Sequence, residues 1–525
     1  MLTRRRFVSS AGGALAATVF APGALADALG NGRSRRPLSS GRFSEGVMAG
    51  EPTPDGITLW TRLNDADGSG SVLLEVARDD GFRRVVASER VAATEAAAHA
   101  VKVRVRDLDP REEYFYRFET ANRSSAVGRF RTAPPPDSEE PLKFAFFSCQ
   151  SWQSGFFTPH DVLAREDVDF VVNLGDYVYA DAQAAGARIR RDPILQARSL
   201  EQYRDKYRLY RSDAALRRMQ REFAMVSTWD DHELTDNYAG RDPRTIPQNG
   251  FTRRQQANAY RAFFESMPFF SPDRRTRVFR ALRMGRNVDL VVLDERQYRD
   301  AQACGDTLTG DLDPTSPDFC ADLDQPREYV GRAQEGFLAR RVRGSPAHWT
   351  VVANPVPVTP IKLINAFAAP DAWAGYTGAR AELVALAQSV EDLVFVTGDI
   401  HTFVTAATPV SIDDPTPVAP EFIGGSITSF GFAQTDIKIG GGTTLQGDPD
   451  ATSFDQGLLD SLVSLNPWAV DIDVVHHGYA VARATPSSFD VSYKRLETVR
   501  RRRAPELPDL SYTVARGQRR PDKVA

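Results

Sequence analysis

The stretch of sequence that decides the fold is FVVNLGDYVY, residues 170–179. Its first five residues are almost all apolar and lack the polar alternation of a strand with one face in water. Continuous apolar runs are typical of strands that are buried on both faces. Here the run ends at Gly175 and Asp176, and Tyr177 and Tyr179 follow at once. The stretch therefore predicts a buried strand with a carboxylate and two phenols at its carboxyl end.

Three other apolar runs end in a similar way. Run 144–147 is followed by Ser148 and Cys149, run 223–228 by WDDHE at 229–233, and run 393–397 by GDIH at 398–401. Ligands of open α/β sheets bind at the carboxyl ends of strands. Strands packed side by side would therefore bring these polar groups to one rim.

Helical periodicity between the strands completes an α/β pattern. Further buried runs lie at 288–293 and 349–353, and helices are predicted within 200–221 and 253–266. We therefore expect one large α/β domain over residues 141–500, with a C-terminal extension that reaches residue 525.

The residue types at the predicted rim favour a metal centre over a nucleophilic triad. They comprise one thiol, several carboxylates, one or two phenols and two imidazoles. Carboxylates bind hard cations such as Ca²⁺, whereas imidazole and thiolate suit transition metals. A carboxylate such as Asp176 could bridge two ions, and two-metal sites stabilise both the attacking and the leaving oxygen in phosphoryl transfer. Each motif alone is weak, because Gly-Asp after a strand is usually only a turn.

The region before residue 134 has a different pattern. Short β-prone runs at 56–60, 72–76, 100–105 and 114–118 alternate with turn signals, and a proline run follows at 134–136. This pattern predicts a β-sandwich domain over residues 41–133.

The first 26 residues have the pattern of an export signal. Arg4, Arg5 and Arg6 precede a short apolar stretch, and Ala24-Leu25-Ala26 forms an A-x-A cleavage site. The arginines favour a twin-arginine signal and its export machinery as a partner; the alternative is an ordinary Arg-rich secretory signal. Residues 27–40 are predicted as a linker, no transmembrane segment is expected in the mature chain, and the protein is expected to be periplasmic or secreted.

Composition excludes two classes of protein. The 525 residues carry a net charge of −4, which argues against a dedicated nucleic-acid binder. Only 3 cysteines are present, too few for a disulfide scaffold. Cys304 and Cys320 lie in a long polar stretch at 300–329, which is either functional or disordered, and they either form a disulfide that pins it or are unrelated thiols.

The motifs at the strand ends resemble those of the alkaline phosphatase D (PhoD-like) family of metallophosphatases. The matching stretches are 148–150, 175–179, 229–233 and 398–401, together with 43–47 and 55–62 in the predicted sandwich. The resemblance implies an immunoglobulin- or fibronectin-like β-sandwich followed by a domain of two packed sheets flanked by helices, α/β/β/α. It also implies an alkaline phosphomonoesterase or phosphodiesterase in which a metal-bound hydroxide attacks a small-molecule or lipid phosphoester.

The resemblance also implies a set of site residues. Four positions match ligands of Fe³⁺, namely Cys149, Asp176, Tyr179 and His401. Ca²⁺ would be bound by the bridging Asp176 with Asp231 and Asp399. His232 matches a position near the phosphate oxygens, where it could stabilise charge or protonate the leaving group. One departure bears on Ca²⁺: the family often has Trp-Asp-Gly-Tyr where this chain has WAGY at 373–376, with Ala374 in place of the acid.

Several other residues and functions stay open on the sequence alone. Arg296 either grips a phosphate or forms an ion pair with Asp294 or a neighbouring acid. Asn354 is a possible ligand, and at most one of His476 and His477 is expected to face the site. The alternative functions are a phospholipase D-like diesterase of the same family and, from another class, a non-catalytic surface-binding protein.

Overall fold

The computed structural model describes residues 36–181, 189–240, 251–271, 273, 276–305, 307–440 and 443–525. The predicted export signal at 1–26 and most of the predicted linker lie outside the described residues. Among the helices that are described, none is long and apolar enough to cross a membrane.

Strands dominate the described chain. They are β1 (Val47–Thr53), β2 (Gly56–Arg62), β3 (Gly70–Ala77), β4 (Val85–Ala93), β5 (Ala100–Val105), β6 (Glu113–Glu119), β7 (Gly128–Arg131), β8 (Leu142–Phe147), β9 (Phe170–Asn173), β10 (Ala224–Ser227), β11 (Arg280–Met284), β12 (Val288–Val292) and β13 (Thr309–Asp311). They continue with β14 (Trp349–Asn354), β15 (Ala366–Ala368), β16 (Leu393–Thr397), β17 (Phe403–Pro409), β18 (Pro417–Gly424), β19 (Ile437–Gly440), β20 (Thr443–Leu445), β21 (Ala469–Asp473), β22 (His477–Ala484), β23 (Ser488–Leu496), β24 (Leu510–Ala515) and β25 (Asp522–Lys523).

The described α-helices are fewer. They are α1 (Thr158–Leu163), α2 (Leu200–Arg211), α3 (Ala214–Glu222), α4 (Arg253–Ser266), α5 (Arg332–Gly344), α6 (Thr377–Gln388) and α7 (Gln456–Leu465). The predicted helical stretch 200–221 is two helices, because the side chain of Asp213 accepts from Ala215 N and starts a new helix.

Two large sheets form the centre of the molecule. One has ten strands in the order β25-β24-β23-β22-β8-β9-β10-β1-β2-β5, and the other has seven in the order β11-β12-β14-β16-β18-β17-β21. In the first sheet β8, β9 and β10 run parallel, and Phe147, Asn173 and Ser227 are paired across them. These three strands therefore end at the same level, as a common rim requires.

The two sheets pack face to face, which explains the continuous apolar runs. Phe144 and Phe170 stack with ring centroids 5.2 Å apart and share one core with Val351 and Val394 of the other sheet. Phe147 points to the opposite side, into a second core with the helices. Both faces of β8 are thus buried, and each fully buried side chain of this size contributes about 1.5–3 kcal/mol.

Helices cover the outer faces of the two sheets. Residues of α1 to α4 pack on the ten-stranded sheet, and those of α5 and α6 pack on the seven-stranded sheet. The layer order is α/β/β/α, so the predicted fold class is confirmed.

The N-terminal strands are joined to this framework. β3, β4, β6 and β7 form a four-stranded sheet, whereas β1, β2 and β5 extend the ten-stranded sheet. The junction is a parallel pairing of Ala49 with Ala224. Lys102 on β5 adds hydrogen bonds to the carbonyl oxygens of Phe264 and Phe269, at 2.6 and 2.7 Å. The sheet is therefore continuous across the two regions that the sequence separates.

Residues 300–329 are tied down rather than free. β13 lies within this stretch and pairs with β15. Cys304 and Cys320 form a disulfide, as the first of the two interpretations of these cysteines predicted. Cys149 is a buried free thiol.

Candidate metal centre

Two glycines let the strand ends approach one another. A Cβ on Gly175 would lie 2.5 Å from Asp230 Cβ, so glycine allows the turn after β9 to meet the end of β10. A Cβ on Gly398 would lie 2.7 Å from Ser148 Cβ. This second contact joins the end of β16, in the seven-stranded sheet, to the end of β8 in the ten-stranded sheet. The rim is thus shared by two facing sheets, not formed along one.

The backbone at the rim is strained at the residues that carry the chemistry. Four of the predicted site residues have left-handed backbone, with φ of 57° at Cys149, 52° at Asp176, 72° at Asp399 and 54° at His401. Such conformations cost about 1–3 kcal/mol each and concentrate at functional sites. The buried strands that precede these residues fix the chain tightly enough to hold this strain.

The first cluster unites three of the sequence-predicted ligands. Ligand atoms of Cys149, Asp176 and His401 all lie within 4.8 Å of one another. The hydroxyl of Tyr179 lies 3.1 Å from Asp176 Oδ2 and 3.2 Å from His401 Nε2. A thiol, a carboxylate, an imidazole and a phenol therefore face one point.

His401 is oriented as a ligand. Its Nδ1 lies 2.7 Å from the carbonyl oxygen of Phe430, which can only accept, so Nδ1 carries the proton and Nε2 presents its lone pair to the cluster. Burial lowers the pKa of His401 to about 4, which keeps the ring neutral. A neutral imidazole with a fixed tautomer is the form that binds metals.

A second cluster shares one residue with the first. It consists of Asp176, Asp231 and His232, whose ligand atoms also lie within 4.8 Å of one another. The backbone N–H of Asn237 donates to Asp231 Oδ2 at 2.6 Å and fixes this carboxylate. Asp176 therefore stands where a carboxylate could bridge two ions.

The donor sets and their charge fit cations. Burial raises the pKa of Asp176 well above its usual value, and Asp231 raises it further although His232 lowers it. Burial, and then the charge of Asp176, likewise raise the pKa of Cys149. Acidic groups buried together need a compensating cation to ionise. The thiol, phenol and imidazole of the first cluster suit a transition metal, and the carboxylates of the second suit a harder ion.

His232 belongs to the second cluster and also packs against Tyr179 beside the first. Its Nδ1 lies 2.9 Å from Asp181 Oδ2, and its ring stacks on Tyr179 with centroids 4.1 Å apart. Because the carboxylate of Asp181 accepts from Nδ1, the Nε2 atom of His232 is left for the cavity that the residue lines.

Asp399 and Arg296 are placed differently. Asp399 lines the cavity, but its carboxylate belongs to neither cluster of described ligand atoms. Arg296 is fully buried, pairs with Asp230 and lies 2.9 Å from Asp371 Oδ2. The structure thus places Arg296 in ion pairs with neighbouring acids rather than on the cavity surface.

The position that lacks an acid lies near that ion-pair network. Ala374 sits in a short 3₁₀ turn, Trp373–Gly375. The acid that lines the cavity in this segment is Asp371, and its carboxylate is engaged by Arg296. Position 374 is an alanine, so this position offers no side-chain ligand to a metal ion.

Other polar residues named from the sequence lie behind the centre. Asn354 is fully buried and accepts from Trp373 Nε1 at 3.2 Å. His477 lies 3.0 Å from the carbonyl oxygen of Ser429, whereas His476 pairs with Asp473. The two adjacent histidines thus have separate environments, and only His477 contacts a segment of the site.

Three supporting residues were not found from the sequence. Ser429 donates to the Tyr179 hydroxyl at 2.6 Å, and Asp181 holds His232. Glu233 accepts from the backbone N–H groups of Tyr177 and Asp230, at 2.8 and 3.0 Å, and so ties two rim loops together. Glu233 is the last residue of the motif at 229–233 and could have been named, whereas no local signal marks Ser429.

A cavity of about 530 Å³ opens over both clusters. One side is polar and carries Asp176, Asp231, His232, Asp399 and His401. The other side is apolar and belongs to a separate hydrophobic cluster. The arrangement can hold metal ions at one side and an organic group at the other.

Comparison with known proteins gives consistent matches. A family model described as PhoD-like phosphatase matches residues 144–493, and one described as PhoD-like phosphatase, N-terminal domain, matches residues 29–134. Alkaline phosphatase D of Bacillus subtilis (strain 168) is 31% identical over 521 aligned residues, which cover 93% of this chain and 86% of that protein.

Solved structures agree. The structure of PhoD matches with a TM-score of 0.81 at 28% identity and covers 93% of both chains. A purple acid phosphatase from yellow lupin (Lupinus luteus) seeds matches with a TM-score of 0.52 at 13% identity, over 89% of this chain and 74% of that one. This second likeness concerns the fold alone.

Proposed function

Because the chain belongs to the PhoD-like phosphatase family and is a phosphoester hydrolase, we propose that it cleaves phosphate monoesters, diesters or both at alkaline pH with two kinds of metal ion. The observation that carries the proposal is the position of Asp176 in both ligand clusters. A carboxylate shared by two ligand sets can hold two ions close together, and two adjacent ions stabilise both the attacking and the leaving oxygen in phosphoryl transfer.

The two ligand sets are assigned by their chemistry. Cys149, Asp176, Tyr179 and His401 would hold Fe³⁺, because thiolate, phenolate and imidazole suit a transition metal. Asp176 and Asp231 would hold Ca²⁺, which prefers oxygen ligands. Asp399 lines the same cavity and is a more distant Ca²⁺ ligand in this proposal.

When bound, these ions supply Lewis-acid chemistry that generates a hydroxide nucleophile and neutralises charge on the phosphate. His232 holds a proton on Nε2 and donates it to the leaving-group oxygen. The carboxylate of Asp181 accepts from Nδ1 at 2.9 Å and stabilises the doubly protonated imidazolium, the form of His232 that can donate the proton on Nε2. The buried rim keeps bulk water from the ligands, since Asp176 and Cys149 are each 1% exposed.

Arg296 supports the centre from behind in this proposal. Its guanidinium is buried and its contacts are Asp230, Asp231 and Asp371. It positions these acids and does not touch the phosphate. This differs from the phosphate-gripping alternative that the sequence allows.

Export is the second part of the proposal. Residues 1–26 would act as a twin-arginine signal, residues 27–40 as a linker, and residues 41–133 and 141–525 as the sandwich and catalytic regions. The Cys304–Cys320 disulfide supports this, because such bonds persist in oxidising compartments such as the periplasm or the exterior of the cell.

The experiment compares three proteins on two substrates. Wild type, Asp176→Asn and the exposed-loop control Asp413→Asn are loaded with Fe³⁺ and Ca²⁺ and assayed on 4-nitrophenyl phosphate and bis(4-nitrophenyl) phosphate. We expect wild type and the control to hydrolyse at least one substrate and Asp176→Asn to hydrolyse neither. Full activity in Asp176→Asn, or no hydrolysis by wild type, would overturn the proposal.

A further inference from the structure

The apolar side of the cavity is larger than a phosphate needs. We call it the apolar half and define it by Leu308, Ile361, Ile437, Leu462, Ile472 and Val474, all of which line the same 530 Å³ cavity as the metal ligands. Inorganic phosphate and the ligand clusters would use only the polar side. The apolar half is therefore unexplained by metal binding or by the phosphate group alone.

The apolar half joins the metal centre without a break. Ile400 lies between Asp399 and His401 in the chain and lines the cavity with both. On the other flank, Ala369 N–H donates to the carbonyl oxygen of Leu308 at 3.0 Å, two residues before the cavity-lining Asp371. A group attached to a phosphate at the metals would therefore reach apolar side chains directly.

One side chain at its edge is unusually exposed. Leu308 is 55% exposed, although it lies in a segment held by the pairing of β13 with β15 and by the Cys304–Cys320 disulfide. A leucine fixed by its backbone but open to the cavity gains burial only when something apolar lies against it.

We propose that the apolar half binds the hydrocarbon part of an alcohol esterified to the phosphate, so that the enzyme selects phosphoesters of apolar alkyl or aryl alcohols. The inference rests on the proposed phosphoesterase function and adds the substrate class. Hydrocarbon burial against these side chains lowers the free energy of the bound substrate and of the transition state together, so kcat/KM rises with chain length.

The first test is a chain-length series. The n-alkyl 4-nitrophenyl phosphates from methyl to hexyl share one leaving group and differ only in the alkyl ester. We expect kcat/KM to rise about two- to fourfold per methylene until the apolar half is filled. The second test measures Kd for methylphosphonate and hexylphosphonate, which are not hydrolysed, and we expect hexylphosphonate to bind at least about tenfold more tightly.

Two variants test whether the chain-length dependence arises at the apolar half. The Leu308→Asn/Ile437→Asn double variant should lose most of the chain-length dependence while its kcat/KM for the methyl ester stays within about twofold of wild type. The control is Val86→Asn, at a strand residue that is 43% exposed and outside the cavity, and it should keep the full dependence. Unchanged unfolding temperatures show that both proteins are folded.

The outcomes separate this inference from the proposed function. Chain-length dependence in either series that is lost in the double variant supports it. Equal values for all chain lengths in both series, or dependence that persists in the double variant, overturns it. If no ester is hydrolysed at all, the phosphoesterase proposal fails, and the phosphonate series still decides whether the apolar half binds hydrocarbon.

Discussion

The two sides of the cavity are built by different means. The metal centre stands at the ends of β8, β9, β10 and β16, which are central strands of the two large sheets. The apolar half is built by peripheral elements, among them the short strand β19, the helix α7 and the edge strand β21. The candidate metal ligands thus follow central, buried strands that constrain the backbone, whereas the apolar half is assembled from elements at the periphery of the fold.

The two sides also differ in what stabilises them. Rim residues such as Asp176 and Cys149 are buried with strained backbone and raised pKa values, which is unfavourable for the empty protein. The apolar half is held by side-chain packing and by the Cys304–Cys320 disulfide. Changes at the rim should therefore reduce activity more than stability, and changes in the apolar half should alter selectivity.

The largest effect is expected at the shared carboxylate. Asp176→Asn should lower kcat by on the order of 10³ or more, because charge stabilisation by the metals is worth several kcal/mol. The empty variant should be at least as stable as the empty wild type, because a buried acidic group is removed. Activity and metal content measure the effect on catalysis, and urea unfolding of the metal-free proteins measures the effect on stability. An Asp176→Asn protein that unfolds much more easily than wild type would contradict the expected difference between activity and stability.

His232→Asn should have the next largest effect, and it should depend on the leaving group. General acid catalysis typically contributes 10²–10⁴-fold. An alkyl phosphate, whose alkoxide leaves poorly, should lose about 10²-fold or more, whereas a 4-nitrophenyl ester should lose much less. Equal losses for both leaving groups would show that His232 does not donate the proton. Asp181→Asn should repeat the pattern more weakly.

Acidic pH should lower the free energy of unfolding, because a buried histidine that contacts the rim is neutral in the folded protein. His160 on α1 is fully buried, its Nε2 lies 2.7 Å from Gln150 Oε1, and burial lowers its pKa to about 3. The ordinary pKa of histidine is about 6.5. Below this pH, His160 takes up a proton in the unfolded chain but stays neutral in the folded protein. Above pH 6.5 this difference does not affect the free energy of unfolding. As the pH falls from 6.5 toward 3, the free energy of unfolding decreases, by roughly 3 kcal/mol at pH 4.

His160→Gln keeps a donor for Gln150 and should remove this part of the acid sensitivity. The measurement is the free energy of unfolding at several pH values between 4 and 7 for the two proteins. His348→Gln serves as a control, because His348 lies 3.5 Å from Glu139 outside the core. A pH slope of His160→Gln that equals that of wild type would show that His160 is not the source.

The smallest effect on catalysis is expected at the disulfide. The double variant Cys304→Ser/Cys320→Ser should lower kcat/KM a few-fold for long alkyl esters and hardly at all for the methyl ester. A disulfide that closes a loop of this length stabilises the folded protein by up to about 3 kcal/mol. A loss shared equally by all esters would place the disulfide in support of the metal centre instead.

The features that could be predicted from the sequence are those that a short stretch of residues specifies by itself. The buried strands are visible because both faces of β8 and β9 are covered, so their apolar runs are continuous. The rim ligands follow those strands within a few residues, and the motif matches made Cys149, Asp176 and His401 stand out. The same reasoning predicted the α4 helix with its bounds.

Long-range contacts explain the rest. Ser429 reaches Tyr179 across 250 positions, and β1 joins β10 across the predicted boundary, without any local signal. The role of Arg296 depends on which buried acids surround it, which the sequence leaves open. The apolar half is assembled from loops, strands and a helix that are distant in the chain, and none of these segments alone signals a binding surface.

Metal analysis combined with a visible spectrum decides whether the buried thiol–carboxylate–phenol–imidazole cluster binds Fe³⁺. Phenolate bound to Fe³⁺ absorbs visible light, so purified wild type should contain iron and be coloured. Tyr179→Phe should lose the colour, whereas Tyr203→Phe, a buried tyrosine outside both clusters, should keep it. A colourless wild type that contains only zinc, or a colour that survives in Tyr179→Phe, would contradict the account.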